Sequence, residues 1–270
     1  MEFRIRNSML NDWDEMCGLA FRARWFGTPE EKQLFDISRK EAIMWGSYFE
    51  QLVLGSGVGG KIVDIAEMGR INKKDYFKSV FYKRVKTQAE IARQFIFGFL
   101  KEKGYPFWKA QVQLITDFEI DGMTIPYEGN ADALLGEPFK PTLVLDTKFT
   151  GDTTNTWGKY AWGKPEQMDM GQLAGYSKAI QQIYGTNPAA MYYVADSKEE
   201  ERVEPISVIF SKDYIESYMW RLKITYTEIK QSLAFNYWPV KSSYNNCSQC
   251  PLKDNCPSAI RIPEVKEIHK

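Results

Sequence analysis

Apolar residues recur at helical spacing through the first third of the chain and at every second position through the next, so helices are expected to lead into a β-meander. Residues 1–54 carry the helical pattern, with a turn expected at Gly27-Thr28-Pro29-Glu30 and Ser38 placed to cap a helix running through Glu41, Trp45, Glu50 and Leu54. The glycine-rich run from Gly55 to Gly60 ends that helix. Residues 61–103 return to helix, most clearly from Thr87 to Lys103, where Gly104 and Pro106 stop it. Strands are then expected over 108–120, 127–135 and 142–149, with turns at Asp121-Gly122 and around Gly136-Glu137-Pro138. A helix from about Pro165 to Tyr184, strands over 190–195 and 205–210, and a long helix from Asp213 to about Phe235 complete an α+β order.

This order describes a single domain with a helical part over 1–105, a mixed part over 106–235 and a cysteine-bearing segment over 236–270. With 44% apolar and 14% aromatic residues, the chain can bury a full core without disulfides. It contains no apolar run of 18 residues, and Met1-Glu2-Phe3-Arg4 does not begin a secretory leader, so a cytoplasmic protein with no membrane role is expected.

Thirty-five basic residues balance thirty-five acidic ones, so net charge points to no class of partner. The distribution is uneven: twelve Lys or Arg stand against five Asp or Glu between Lys61 and Lys109, interleaved with Tyr76, Phe77, Phe81, Tyr82, Phe95 and Trp108. Such a stretch suits phosphates and stacked bases, and it equally suits a solvated helix pair whose aromatics fill the core.

Candidate chemistry lies in the meander. Asp146 and Lys148 interrupt the apolar run from Leu143, and period two places them on one face. Asp132 and Asp146 are equidistant from Phe139, so a symmetric hairpin sets the two carboxylates opposite each other. Facing carboxylates repel unless a cation shares them, and hard oxygen ligands suit Mg2+ or Mn2+. Such an ion acidifies a bound water and neutralises a phosphate while Lys148 steadies the transition state, which are the needs of phosphodiester hydrolysis.

The arrangement Gly129-x-x-Asp132, thirteen residues, then a hydrophobic strand ending Asp146-Thr147-Lys148 resembles the PD-(D/E)xK nucleases of the RecB type. The resemblance extends to Gln172-x-x-x-Tyr176, whose spacing puts both side chains on one helical face. It implies a restriction-endonuclease-like core, a central mixed sheet flanked by helices, with Gln172 and Tyr176 joining Asp132, Asp146 and Lys148 in the catalytic site. Many relatives carry a metal-binding histidine on an early helix, whereas the single histidine here is His269. Gly46-x-x-x-Glu50 resembles the phage exonuclease branch instead, which implies Glu50 as the third metal ligand beside Asp132 and Asp146.

Cys17 stands alone near the start, and Cys247, Cys250 and Cys256 follow a Cys-x2-Cys-x5-Cys spacing near the end. In a reducing compartment these suit a metal site better than a disulfide framework, and thiolates alone do not choose between iron-sulfur and zinc. One remote cysteine with a C-terminal triplet is similar to the iron-sulfur nucleases of CRISPR adaptation modules and AddB-type nuclease domains. That likeness implies a 4Fe-4S cluster tying the helical N-terminal region to the C-terminus, with zinc as the alternative.

Gly55 to Lys61 matches the start of a phosphate-binding P-loop, but Ile62 replaces the required hydroxyl residue and a helix, not a strand, precedes it. The sequence reading is therefore a Mg2+- or Mn2+-dependent deoxyribonuclease. Its expected form is an exonuclease preferring single strands or free ends, with possible endonuclease activity and a possible helicase or recombination partner. The rival reading is a catalytically silent DNA-binding or scaffold protein that keeps the nuclease fold.

Overall fold

The computed structural model describes residues 2–35, 41–55, 62–157, 160–199, 202–241, 243–248, 250–256 and 258–259. The Ser38 cap and most of the P-loop-like run, residues 56–61, lie outside the described residues. Helices α1 (Asn7–Glu15), α2 (Gly18–Phe26), α3 (Pro29–Leu34), α4 (Glu41–Leu54), α5 (Ile65–Asn72), α6 (Val80–Arg93) and α7 (Leu100–Glu102) precede strands β1 (Phe107–Ile120), β2 (Met123–Glu137) and β3 (Lys140–Thr150). Then follow α8 (Gly171–Tyr184), β4 (Ala189–Asp196), β5 (Val203–Val208), α9 (Lys212–Phe235) and α10 (Tyr244–Ser248). Among the described residues no helix is long and apolar enough to cross a membrane.

The chain forms two compact units, residues 38–220 and residues 1–37 with 221–270, the division falling within α9. The helices of 41–102 thus belong with the sheet, and the first helices belong with the cysteine-bearing segment.

In the larger unit the five strands run in sequence order as one mixed sheet: β1–β2–β3 antiparallel, β3–β4 parallel, β4–β5 antiparallel. The parallel pair requires a crossover, which α8 supplies. Pro126 lies inside β2, paired with Asp117 of β1, although it has no N–H for a ladder. It is tolerated because β3 pairs with β2 only from Ala133 onward, leaving the other edge at Pro126 unpaired.

Alternation divides β3 and β4 between two layers of helix. Leu143, Leu145, Tyr193 and Ala195 pack into one buried cluster with Met44, Phe49 and Val53 of α4 and Val85 and Ala89 of α6. Helix α6 starts earlier than Thr87 because Ser79 caps it, its hydroxyl accepting from the Tyr82 N–H at 3.1 Å. Its continuation, Gln94–Phe99, widens into a π turn, where Phe95 packs on Tyr193 and Phe97 on Phe107 at centroid distances of 5.2 and 4.6 Å. Tyr76 is buried in the same cluster and Phe81, Tyr82 and Phe95 pack against it half-buried, so these aromatics of the basic stretch serve the core, while Phe77 is 50% exposed.

Helix α8 crosses the sheet closely enough that two positions must be glycine. A Cβ on Gly175 would stand 2.5 Å from the Tyr127 hydroxyl and 2.6 Å from that of Tyr218, and one on Gly129 would stand 2.8 Å from the Tyr176 ring. The smaller unit is built on aromatic contacts: Trp13 meets Phe21 edge-on at 5.0 Å, and Phe26 meets Trp238 at 5.9 Å with the rings tilted. Gly18 N–H donates to Pro239 O at 2.8 Å and Trp13 Nε1 to Glu228 at 2.7 Å, so chain segments remote in sequence share this core.

Gly175→Ala gains about 1 kcal/mol of helix propensity but drives a methyl into two buried, rigid tyrosines. Overpacking of that kind costs about 1–3 kcal/mol. The expected outcome is a net loss of stability in urea unfolding, and a variant more stable than the parent would contradict this packing.

Candidate active site

Four elements bring the sequence-selected residues together. The β2–β3 hairpin supplies Asp132, Asp146 and Lys148, α8 supplies Gln172 and Tyr176, and α4 supplies Glu50. The register across the hairpin is the one expected, Ala133↔Leu145 and Leu134↔Val144, which continued by one residue faces Asp132 with Asp146. The turn itself is asymmetric. Glu137 pairs with Lys140 around Pro138-Phe139, and a register shift beside Gly136, whose φ is 127°, restores the alignment.

Beyond Ala133↔Leu145 the backbone ladder between β2 and β3 stops. The Thr147 N–H that would have continued it donates to Asp132 Oδ2 at 2.6 Å, and the Thr147 hydroxyl donates to the same oxygen at 2.8 Å. A carboxylate thus replaces a strand backbone at the point where the two strands part.

Asp146 is 1% exposed. Its Oδ1 accepts from Gln172 Nε2 at 2.9 Å, and the same amide nitrogen donates to the Tyr176 hydroxyl at 2.8 Å. Oδ2 lies against the Lys148 ammonium, which donates to it. Burial raises the Asp146 carboxyl to about 7, against the pull of Lys148 and with the help of the Asp132 charge. Burial also opposes the charge on Lys148, but Asp146 and Asp132 outweigh it and raise the ammonium's pKa. The Tyr176 phenol is raised by burial and by the Asp146 charge.

Glu50 projects from α4 into this group and is 6% exposed. Phe49, its neighbour, stacks on Phe149 of β3 at 5.2 Å, which holds α4 to the sheet, and Arg93 Nη1 of α6 donates to Val53 O at 3.0 Å, which ties the end of α4 to α6. Burial first, then the charges of Asp132 and Asp146, lift the Glu50 carboxyl to about 9, and it shares a hydrogen bond with the Asp132 side chain. All six residues selected from the sequence therefore lie in one electrostatically coupled group. Among the described residues, no group of three or more His, Cys, Asp or Glu side chains stands at metal-holding spacing.

Two features went unseen in the sequence. Gln111 of β1 donates its side-chain amide to Glu50, and an isolated glutamine in an alternating strand gives no signal of that reach. The loop after β3 stacks Tyr160 on Trp162 at 5.2 Å with 11° between the rings, and Trp162 meets the edge of Tyr192, over whose ring Lys148 Nζ sits at 5.8 Å. Trp157, in the same loop, is 80% exposed. The cluster Trp157, Tyr160 and Trp162, following Asp146 and Lys148 so closely, was a readable signal.

The four cysteines lie in the smaller unit, in no disulfide. Burial pushes the Cys250 thiol up, and Cys17, Cys256 and Cys247 are all near enough to push it further.

This α+β architecture, a five-stranded mixed sheet between helices, occurs in solved structures. A crystal structure from Eubacterium rectale, described as a candidate exonuclease, matches 96% of this chain and 90% of its own with a TM-score of 0.59 and 16% identity. The structure of SSO0001 matches 97% and 89% with a TM-score of 0.44 and 12% identity. LHK-Exo in complex with dAMP matches 72% and 96% with a TM-score of 0.28 and 14% identity. The first of these shows a shared fold. No protein-family profile and no curated protein matches the sequence.

The raised Asp146 carboxyl has a measurable consequence. The native group holds its proton to about 7, above the ordinary carboxylate value, so the folded state binds more protons between the two values. Stability is expected to fall as pH rises through that window and to level off above it. Asp146→Asn should therefore raise the thermal midpoint of metal-free protein more at about pH 8 than at about pH 5, by about 2–4 °C for each kcal/mol recovered. Equal shifts at both pH values would contradict the burial penalty.

Proposed function

We propose that this chain is a metal-dependent deoxyribonuclease of the PD-(D/E)xK type. The observation that carries the reading is the convergence of Glu50, Asp132 and Asp146 on one another beside Lys148, with the Gln172 amide bridging Asp146 and Tyr176. The likeness of fold to a structure described as a candidate exonuclease supports it.

The residues fit a divalent cation. The donors are hard carboxylate oxygens, Asp146 is buried with the charges of Asp132 and Glu50 beside it, and the strands separate at this point instead of closing the ladder. Glu50, Asp132 and Asp146 would hold Mg2+ or Mn2+, which when bound supplies charge neutralisation at the phosphate and an acidified water. The chain's own groups do the remaining work. Gln172 fixes the Asp146 carboxylate through Oδ1 and leaves Oδ2 directed toward Lys148. Lys148 keeps its proton and presents a positive charge to a phosphate oxygen where negative charge grows in the transition state. Asp132 holds the backbone between Asp146 and Lys148, so that both side chains keep their spacing.

The preferred form is an exonuclease acting on single strands or free ends. The exposed Trp157 and the half-buried Tyr160 near Lys148 support this preference, because unpaired bases stack on such rings while a closed duplex hides its base faces. Unwinding, where needed, would come from a helicase or recombination partner. We propose further that Cys17, Cys247, Cys250 and Cys256 hold a 4Fe-4S cluster with a structural role, supported by their electrostatic proximity in one unit.

End-labelled single- and double-stranded DNA incubated with Mg2+ or Mn2+ tests the first proposal. Lys148→Ala and Asp146→Asn should each lower cleavage by about 100- to 1000-fold while DNA binding persists. Loss of binding and cleavage in parallel would contradict these roles. For the cysteines, anaerobically purified protein is expected to be brown and to contain iron and acid-labile sulfide, both lost in Cys250→Ser. Colourless protein holding stoichiometric zinc would replace the cluster with a zinc site.

A further inference from the structure

Among the described residues five non-glycines have positive φ, and four of them sit where chain reversal or helix termination demands it. Lys73 caps the end of α5, Asn236 follows the end of α9, and Asp121 and Phe139 lie in hairpin turns. Gln111, at φ 51°, is different: it lies in the interior of β1, between the pairs Ala110↔Ala133 and Val112↔Ala131. Counting along that register, it stands across from Asp132. A left-handed residue with a Cβ is strained in any strand, and such strain persists only where surrounding structure holds it.

The contact made there indicates what the strain accomplishes. The Gln111 side-chain amide donates to Glu50 Oε1 on α4, and Glu50 is one of the most buried charged residues in the molecule at 6% exposure. A regular strand residue would follow the alternation of Lys109 and Gln113, both exposed to solvent. The left-handed turn redirects one side chain from that outer row onto a carboxylate of the site.

We infer that Gln111 is a positioning residue, whose strained backbone aims its carboxamide at Glu50 and holds that carboxylate in the group formed with Asp132 and Asp146. The inference rests on the nuclease reading, in which Glu50 is a metal ligand. A neutral amide fits this position because it donates to the carboxylate without adding a charge to the carboxylates already crowded there.

Two variants test it in the full chain, with Mn2+ binding followed by calorimetric titration and folding by thermal midpoint. Gln111→Gly removes both strain and amide, and Gln111→Met keeps the length but loses the donor. The expected result is that both raise the Mn2+ dissociation constant by about 10- to 100-fold, while Gln111→Gly leaves the thermal midpoint unchanged or raises it. A lowered midpoint in Gln111→Gly with wild-type Mn2+ affinity in both variants would make Gln111 purely structural and overturn the inference. Wild-type protein that neither binds Mn2+ nor cleaves DNA would instead overturn the nuclease reading and the inference with it.

Discussion

A carboxylate buried to 1% exposure is the constraint around which the larger unit is arranged. Asp146 could have been accommodated by full pairing with a base or by loss of its charge, and the fold does neither completely. One oxygen receives the Gln172 amide, the other meets the Lys148 ammonium, and burial still lifts the carboxyl to about 7. Holding such a group in place requires α8 to lie tight on the sheet, which is why Gly129 and Gly175 have no room for a side chain. It also requires β2 and β3 to diverge where Asp132 takes over the Thr147 N–H.

The helical layer on the other side of the sheet serves the same constraint from a distance. The stack of Phe49 on Phe149 and the grip of Arg93 on Val53 help to determine where Glu50 emerges, and burial first, then the charges of Asp132 and Asp146, lift its carboxyl well above the ordinary range. Polar groups that destabilise one another are retained where they have work to do. The stability of the unit comes from the apolar clusters that surround them.

Much of this was legible in the sequence because it is local. Asp146 and Lys148 two apart in a strand, Gln172 and Tyr176 four apart in a helix, and Asp132 across a short hairpin are related by backbone periodicity alone. The hairpin was legible partly by compensation: the turn is displaced from Phe139, and the shift at Gly136 cancels the displacement. What could not be read depends on contacts between distant segments. Gln111 adopts its conformation through the pairing of β1 with β2 and through a helix about sixty residues earlier. The basic, aromatic stretch looked suited to nucleic acid from its composition, but only the packing of α4 and α6 reveals that Tyr76, Phe81 and Phe95 face inward. Pro126 lay beyond the expected strand start because the unpaired edge that tolerates it is a property of the sheet.

The smaller unit joins residues 1–37 to residues 221–270, and this has a consequence for biosynthesis. A chain leaves the ribosome at about 5–20 residues per second, so the first helices wait roughly 10–40 s for the segment that carries Trp238 and Pro239. During that interval Phe21, Phe26 and Trp13 have no partner core, while residues 38–220 already contain all five strands and can condense first. The aromatic helices of residues 1–37 thus reach their native core only once that later segment has emerged.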